Sequence, residues 1–444
     1  MTDPATPAPA PAPGGVRGLA QALRRQRRAA LPGDPPYTRG APWLGVALDY
    51  GRDAGAFLGG LRAKHGHVFS VFLAGDRVTF VTDPRDYGTV LKARSLDFHT
   101  IANQIAAMAF GGALDDIEAL DAGGIGRMAI DHLRGDALAD LTRGFEDAFA
   151  QVALSGPLPA ADDLYTLVAE LVFPAAGIAV FGQGFDAEIA RADFDRVDGA
   201  FPLLLAGVPA LFLPGVGKAR RSLATALAAG FAEAPLITVE RLRLMQAEST
   251  PADTGAWQLS FLWAAQANTL PSVFWTLFHV LACDDARAAV TAEVRDALDA
   301  APVDPATGRP RFDRETLKQL VRLDSAIDEA LRLTAASLTI RVALEDTTLT
   351  LHDGSEVVIR QGERVGLFPW LMHHDPELYD DPDTFRCDRY LNPDGSKRSD
   401  FLWRGERIRT HLMPFGGGVS MCPGRHFARN EIKIAVALLL AHFD

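Results

Sequence analysis

The residues best placed to do chemistry in this sequence lie near its C-terminal end, in the stretch Pro414-Phe-Gly-Gly-Gly-Val-Ser-Met-Cys422. Its three consecutive glycines allow a tight turn whose backbone amides can approach a flat ligand closely. From Pro423 to His442 apolar residues recur at helical spacing, so Cys422 is predicted to precede a helix. At a helix N-terminus the dipole and the free amides favour a thiolate over a thiol. A soft anionic sulfur in a glycine-lined loop is a good ligand for iron.

The alternative for this stretch is a glycine-rich turn that holds a buried structural cysteine. Zinc is disfavoured, because the other two cysteines, Cys283 and Cys387, do not stand at the spacing of a zinc-ligand pair. A metal site at His373-His374 is disfavoured too, because adjacent histidines point apart and the Asp-Pro that follows them is a helix-start signal. Three unpatterned cysteines fit a reducing compartment.

A carboxylate and two arginines form the second group of interest. Glu329 and Arg332 lie at i and i+3 in a helical segment, Asp324 to Leu333, and Arg389 follows about 60 residues later. Such a pair on its own is usually a surface contact worth about 0.2–0.5 kcal/mol. If the carboxylate is buried and forked by both guanidiniums, the group instead predicts a rigid structural anchor.

The third group lies in the segment Trp257 to Ala282, which is apolar nearly throughout and therefore predicts a helix in the middle of a large protein. Its centre carries the polar residues Gln266, Asn268 and Thr269, followed by Pro271, which loosens the turn before it. Two interpretations stay open. The segment is either a kinked core helix whose polar groups are hydrogen-bonded internally, or a helix that presents these polar groups to a ligand.

The elements that must position these groups are mostly helical. His67 to Phe72 and Arg77 to Val81 predict one β-hairpin, and a second is predicted around Asp353-Gly354. Residues 100 to 126 are too rich in glycine for regular structure and predict a loop. Helical periodicity dominates from Arg127 to about residue 250, with breaks at Phe173-Pro174 and from Phe201 to Gly217. That last stretch is uncharged and predicts either a buried turn between helices or an apolar lid.

Composition excludes several functional classes. The net charge of −12 argues against a nucleic-acid binder, and no uninterrupted apolar segment reaches the roughly 20 residues of a membrane span. Residues 1–37 predict a disordered Pro/Ala-rich leader followed by a basic segment, which is either a solvated helix or a contact to anionic lipid. No internal linker divides the chain after about residue 37, so residues 38–444 predict one large domain.

The pattern of Phe415, Gly418, Cys422, Gly424 and Ala428 matches Phe-x-x-Gly-x-x-x-Cys-x-Gly-x-x-x-Ala, the haem-binding loop of the cytochrome P-450 superfamily. The Glu-x-x-Arg pair with its later arginine matches the second signature of that superfamily. From about Ala41 onwards the sequence resembles the branch that contains cholesterol 7-alpha-hydroxylase, sterol 12-alpha-hydroxylase and prostacyclin synthase.

This resemblance implies a mainly α fold with small β-sheets (α+β) around a buried haem b. It implies that Cys422 is the axial iron ligand, and that Glu329, Arg332 and Arg389 are structural. The residues that it assigns to haem binding, besides Cys422, are Phe415, Gly416, Gly418, Gly424 and, as a partner of a haem propionate, Arg341.

Four departures from the family pattern matter. The leader stands where the usual membrane anchor would be, which suggests a soluble, cytoplasmic protein. The segment Arg127 to Arg134 contains no Trp/His-x-x-x-Arg motif, and Ser420 replaces the basic residue that is common two positions before the cysteine. Both are usual partners of the haem propionates in the family. The sequence stops at Asp444, where a further strand region is expected, so this region is apparently missing. Ala267-Asn268-Thr269 replaces the usual acid and threonine, so either Asn268 or Thr269 is predicted at the oxygen-binding groove.

The function predicted on this basis is a haem-thiolate monooxygenase that hydroxylates a sterol-like, lipid-like or polyketide-like molecule. It would take electrons from a ferredoxin or reductase and touch a membrane at most peripherally. Two alternatives stay open, an isomerase of lipid peroxides that needs no reductase and a haem-binding protein without turnover.

Overall fold

In a computed structural model, the structure is described for residues 22–113, 124–156, 158–159, 161–205, 207–231, 233–248 and 251–443. The predicted Pro/Ala leader and part of the glycine-rich segment near residue 120 lie outside these ranges. The chain forms two compact units, the first from residues up to Ile101 with Leu338–Met372, the second from Ala102–Ser337 with His373–Asp444. The single large domain from residue 38 stays a prediction.

The strands of the chain are short. Their bounds are β1 Tyr37–Thr38, β2 Val68–Leu73, β3 Asp76–Val81, β4 Leu96–Asp97, β5 Thr339–Ala343, β6 Thr347–Thr350, β7 Glu356–Ile359, β8 Arg364–Leu367, β9 Leu402–Trp403 and β10 Glu406–Arg407. The helices dominate. Their bounds are α1 Ala47–Arg52, α2 Ala54–His65, α3 Tyr87–Lys92, α4 His99–Phe110, α5 Ile125–His132, α6 Gly135–Leu154, α7 Leu164–Phe181, α8 Ala187–Leu205, α9 Val216–Ala228, α10 Leu236–Glu248, α11 Pro251–Gln266, α12 Thr269–Ala282, α13 Asp284–Asp299, α14 Arg314–Gln319, α15 Val321–Thr334, α16 Trp370–His373 and α17 Arg425–His442. The predicted fold class, mainly α with small sheets, is confirmed.

The first unit is built on a six-stranded sheet with the order β1-β2-β3-β8-β5-β4. β2 and β3 form the predicted antiparallel hairpin, with Val68 opposite Val81, and both residues of its turn, Ala74 and Gly75, have positive φ. β6 and β7 form the second predicted hairpin. In the basic segment, Arg25 pairs with Asp76 at 3.0 Å, so this segment is folded onto the sheet rather than fully solvated.

The second unit is helical, and its core is one large cluster of buried apolar side chains. α12 lies at its centre and packs against α7, α13, α15 and α17. α15 contains the predicted helical segment Asp324 to Leu333 and begins three residues before it, at Val321; nine of its residues are buried. This burial takes Glu329 and Arg332 into the core, where only a fully paired carboxylate is tolerated.

Two predicted breaks are wrong. α7 runs without interruption through Pro174, because eleven buried residues on this helix outweigh the cost of one lost backbone hydrogen bond. The predicted loop at 100–126 begins with a helix, α4, whose last residue is Phe110. Gly111, which follows it, has a φ of +85°. The glycines terminate this helix rather than prevent it.

The uncharged stretch between α8 and α9 does not form a buried turn. Leu211 and Phe212 are 88% and 71% exposed, on a short 3₁₀ turn from Ala210 to Phe212, whereas Leu204 at the end of α8 is buried. Of the two predictions for this stretch, the structure therefore excludes a fully buried turn and leaves an exposed apolar segment.

Candidate active site

The loop that carries Cys422 is held open by glycine. Gly416 and Gly418 have φ of +71° and +61°, a conformation that disfavours other residues. The backbone N–H of Cys422 donates to the carbonyl oxygen of Phe415 at 2.9 Å, which closes the loop just before α17 begins at Arg425. α17 therefore starts three residues after Cys422, within one turn of the position that the sequence predicts.

The acidity of the Cys422 thiol is set mainly by burial, which raises its pKa above the ordinary value. The backbone N–H groups of Gly424 and Arg425 and the charge of Arg425 oppose this rise, because each favours an anionic sulfur. The prediction that a helix N-terminus favours the thiolate is thus wrong in its net direction, because loss of hydration outweighs the amides. A bound cation reverses that balance, since a coordinating thiol is deprotonated outright.

The donor set at this loop fits a haem iron. One soft sulfur is partly buried, lies near backbone N–H groups that favour its anion, and stands in a loop with little side-chain bulk. At Gly424 an added Cβ would lie 3.8 Å from the Cys422 sulfur. The nearby amides and the glycines are features that a structural cysteine would not require.

The central helix breaks where the sequence predicts a kink. α11 ends at Gln266 and α12 begins at Thr269, so Ala267 and Asn268 lie in the break. Pro271 lacks the N–H that would donate to the Ala267 carbonyl. The ladder resumes at Ser272, which donates to the Asn268 carbonyl from its backbone at 3.2 Å and from its hydroxyl at 2.6 Å.

The residues at and near this break differ in exposure. Ala264 and Asn268 are exposed, four residues apart on one face, although the flanking residues of these helices are largely buried. Thr269 is only 4% exposed. Gln266 is fully buried and donates to the Phe173 carbonyl at 3.1 Å, while its own Oε1 finds no hydrogen-bond partner in the described part of the chain. Of the two predicted residues, Asn268 is therefore the one that faces an open space.

The Glu329 carboxylate is forked by two guanidiniums. Arg332 donates from Nε and Nη2 at 2.7 and 2.9 Å, and Arg389 donates from Nε at 2.7 Å. Both Glu329 and Arg332 are 0% exposed. Arg389 also donates to the carbonyls of Asp380 and Thr384 at 2.6 and 2.9 Å. The carboxylate is thus buried and paired, which is the condition under which the sequence predicts an anchor.

A histidine that the sequence did not assign connects this cluster to the cysteine loop. His373 is fully buried, and its carbonyl accepts from Arg332 Nη1 at 2.6 Å while its Nε2 accepts from the backbone N–H of Met413 at 3.1 Å. Burial, with the nearby charge of Arg332, lowers the pKa of His373 to about 3. The His373 ring is therefore neutral at physiological pH and can accept the hydrogen bond from Met413. Met413 lies two residues before Phe415.

Arg341 lies in the first unit, on β5. It is 1% exposed and its Nη1 donates to the Leu96 carbonyl at 3.3 Å. Burial lowers its pKa, although the charge of Asp97 opposes this effect. Its assignment to a haem propionate stays a prediction.

Comparison with known proteins gives one consistent family. Residues 238–444 match the family model described as cytochrome P-450. Over 446 residues the chain is 36% identical to cytochrome P-450 7A1 of Oryctolagus cuniculus, an alignment that covers 95% of this chain and 88% of the rabbit protein. It is 34% identical over 449 residues to 7-alpha-hydroxycholest-4-en-3-one 12-alpha-hydroxylase of Homo sapiens, with the same coverage. Cytochrome P-450 7B1 of Mus musculus is 32% identical over 446 residues, with 94% of this chain and 86% of the mouse protein covered.

Proposed function

Because the chain belongs to the cytochrome P-450 family and is a haem-thiolate monooxygenase with haem b as its cofactor, we propose that its substrate is a sterol or a sterol-like lipid. Haem b supplies the oxidising chemistry, in which one oxygen atom of O₂ enters a C–H bond and the other leaves as water at the cost of two electrons and two protons. The observation that carries the substrate class is the similarity, over 95% of the chain, to relatives named as acting on sterols.

The proposal for the cofactor site assigns Cys422 as the axial iron ligand, with Phe415, Gly416, Gly418 and Gly424 forming the loop around it. It is supported by the partly buried sulfur, the nearby amides that favour its anion and the positive φ of two of these glycines. Arg341, a buried cation, is proposed to pair with a haem propionate. Glu329, Arg332 and Arg389 are proposed to support the loop without taking part in chemistry.

The proposed activity is tested by turnover. The reduced, carbon-monoxide-bound protein is first examined for the red-shifted Soret band that a thiolate ligand produces. A panel of sterols and oxygenated fatty acids is then offered with and without an electron-donor system. Hydroxylated sterol that forms only with O₂ and electron donor supports the proposal. Rearrangement of a lipid peroxide without either would identify the isomerase instead, and a normal spectrum with no product from any class would leave a haem-binding protein.

Asn268 and Thr269 are proposed to control the delivery of protons for oxygen activation. Asn268 cannot ionise, but its exposed amide can orient water. The Thr269 hydroxyl belongs to the next residue, the first of α12. Separate replacement of each by alanine is expected to lower the sterol product formed per nucleotide oxidised, with the lost electrons recovered as hydrogen peroxide or water. Asn268→Ala should have the larger effect, because Thr269 is buried.

The control for this pair is Ser272→Ala, one turn away, whose hydroxyl donates to the Asn268 carbonyl. It tests whether the amide side chain or merely the shape of the helix break matters. Unchanged coupling in both the Asn268 and the Thr269 variants would remove these residues from oxygen activation.

An acidic electron-transfer protein is the proposed redox partner. A groove of about 990 Å³ in the second unit is lined by Arg and Lys residues in excess of carboxylates and reaches His426, four residues after Cys422. Such a charge pattern steers an acidic partner towards the proposed iron site. Charge reversal at Arg143 and Lys318, which are both exposed, is expected to raise the KM for the donor about tenfold and to leave peroxide-supported turnover unchanged. An unchanged donor KM would place the partner elsewhere.

We further propose that the protein is soluble and cytoplasmic and touches a membrane at most peripherally. Among the described residues, the helix Leu164–Phe181 is long and apolar enough to span a bilayer, but most of its residues are buried in the core. The exposed segment with Leu211 and Phe212 could rest on a bilayer surface. Sedimentation with liposomes, compared between the wild type and a Leu211→Asp/Phe212→Asp variant, tests this contact; a detergent requirement for extraction would contradict the proposal.

A further inference from the structure

A second cavity in the helical unit has an unusual excess of arginine. It measures about 380 Å³ and lies between the start of α15 and the irregular segment from Leu378 to Phe401. Four guanidiniums line it, and the acidic residues at its wall are two aspartates, Asp380 and Asp388, both exposed. The lining arginines are Arg322, Arg386, Arg389 and Arg398.

Three of these arginines have little neutralisation within the cavity. Arg322 forms no ion pair in the described part of the chain. The Glu293 carboxylate accepts from the backbone N–H groups of Arg322 and Leu323 and lies outside the lining. The Nε of Arg386 is 3.9 Å from Asp388, beyond hydrogen-bonding range. Arg398 reaches Asp400 at 3.3 Å, but Asp400 is 73% exposed and does not line the cavity.

Arg389 differs from the other three, because its guanidinium is committed to Glu329 and to backbone carbonyls. It therefore forms the floor of the cavity, together with the Tyr379 ring, which lies 5.9 Å from its guanidinium carbon. The remaining three cations surround this floor at partly exposed positions. Their N–H groups can thus be reached by a solute that enters from solvent.

We propose that this cavity binds a phosphate-bearing anion. A planar guanidinium matches two oxygens of a phosphate at once, and three guanidiniums around one concavity can satisfy more oxygens than a single carboxylate offers. The volume exceeds that of one orthophosphate and suits a pyrophosphate or the phosphate end of a nucleotide or lipid headgroup. The shared chemistry of these ligands is the phosphate group.

Occupation of the cavity would hold the Leu378 to Phe401 segment against α15. The same segment carries Arg389, and Tyr379 also stacks under Arg332 at 4.9 Å and donates to the His411 carbonyl at 2.7 Å. Anion binding is therefore expected to slow the loss of haem. This consequence rests on the proposed haem site, whereas the binding itself does not.

The test uses the haem-loaded full chain and inorganic pyrophosphate, titrated by calorimetry at fixed ionic strength with chloride as the balancing anion. Saturable binding with a stoichiometry near one is expected. An Arg322→Gln/Arg398→Gln variant is expected to bind at least about tenfold more weakly, with an unchanged Soret band as evidence of folding. The matched control is Arg287→Gln/Arg404→Gln, which removes the same two charges from exposed ion pairs with Asp284 and Glu377 outside the cavity.

Each outcome is decisive. Binding that the Arg322→Gln/Arg398→Gln variant loses and the control keeps establishes the site, whereas equal weakening in both variants, or no saturable binding, overturns it. Adenosine monophosphate and vesicles with and without phosphatidic acid then identify whether a nucleotide or a lipid supplies the phosphate. Because calorimetry requires no turnover, a failure of the sterol hydroxylase proposal leaves this result untouched, and a failure here leaves that proposal standing.

Discussion

Replacement of Cys422 by serine is expected to abolish both the thiolate spectrum and sterol hydroxylation. A serine hydroxyl at this position is not ionised at neutral pH and cannot donate the electron density that a thiolate gives to iron. The backbone N–H groups of Gly424 and Arg425 that stabilise a sulfur anion would face a neutral oxygen instead. We expect hydroxylation to fall below detection and the red-shifted Soret band of the reduced carbon-monoxide complex to disappear.

The control for this prediction is Cys387→Ser. Cys387 is also partly buried and its thiol pKa is also raised by burial, but it stands outside the glycine loop. This variant should keep the spectrum of the wild type. A Cys422→Ser protein whose Soret band with carbon monoxide was unchanged would show that another group binds the iron.

The sequence predicts those parts of the site whose residues lie close together in the chain or in a fixed order. The glycines before Cys422 and the helix after it are local features, so their spacing indicates the turn directly. Glu329 and Arg332 share one helix face for the same reason. Pro271 likewise predicts a kink in the central helix, and the structure places the break at Ala267 and Asn268.

The features that the sequence did not predict depend on burial or on distant contacts. The raised pKa of the Cys422 thiol follows from loss of hydration, which no local pattern reports. His373 gained a role only because its ring meets the backbone of Met413, 40 residues away. The continuity of α7 through Pro174 reflects what the folded core covers, not the preference of that residue. For the same reason the sequence left open whether Phe212 is buried or exposed.

The second large effect is expected at the buried ion cluster. Arg332→Ala removes two hydrogen bonds to Glu329 and the bond to the His373 carbonyl. The fully buried carboxylate then keeps Arg389 and the backbone N–H of Arg386 as partners, and both bond the same oxygen, Oε1. Breaking a buried pair in this way costs about 3–5 kcal/mol, because the other carboxylate oxygen loses its charged donor where water cannot replace it. The loop before Cys422 is held to this cluster through His373 and Met413, so we expect little haem to be incorporated.

The matched control is Arg287→Ala on α13, since Arg287 also pairs with a carboxylate at i,i+3 spacing, that of Asp284, but both partners are exposed. Such a pair contributes at most about 0.5 kcal/mol, so this variant should fold and load haem normally. Haem content per protein and the free energy of unfolding, measured for both variants, separate the two cases. If Arg332→Ala protein were as stable and as haem-loaded as the control and had only a kinetic defect, Arg332 would belong to the chemistry rather than to the scaffold. The expected result is the reverse, because the guanidinium donates to Glu329 and to the His373 carbonyl and is fully buried, out of reach of a substrate.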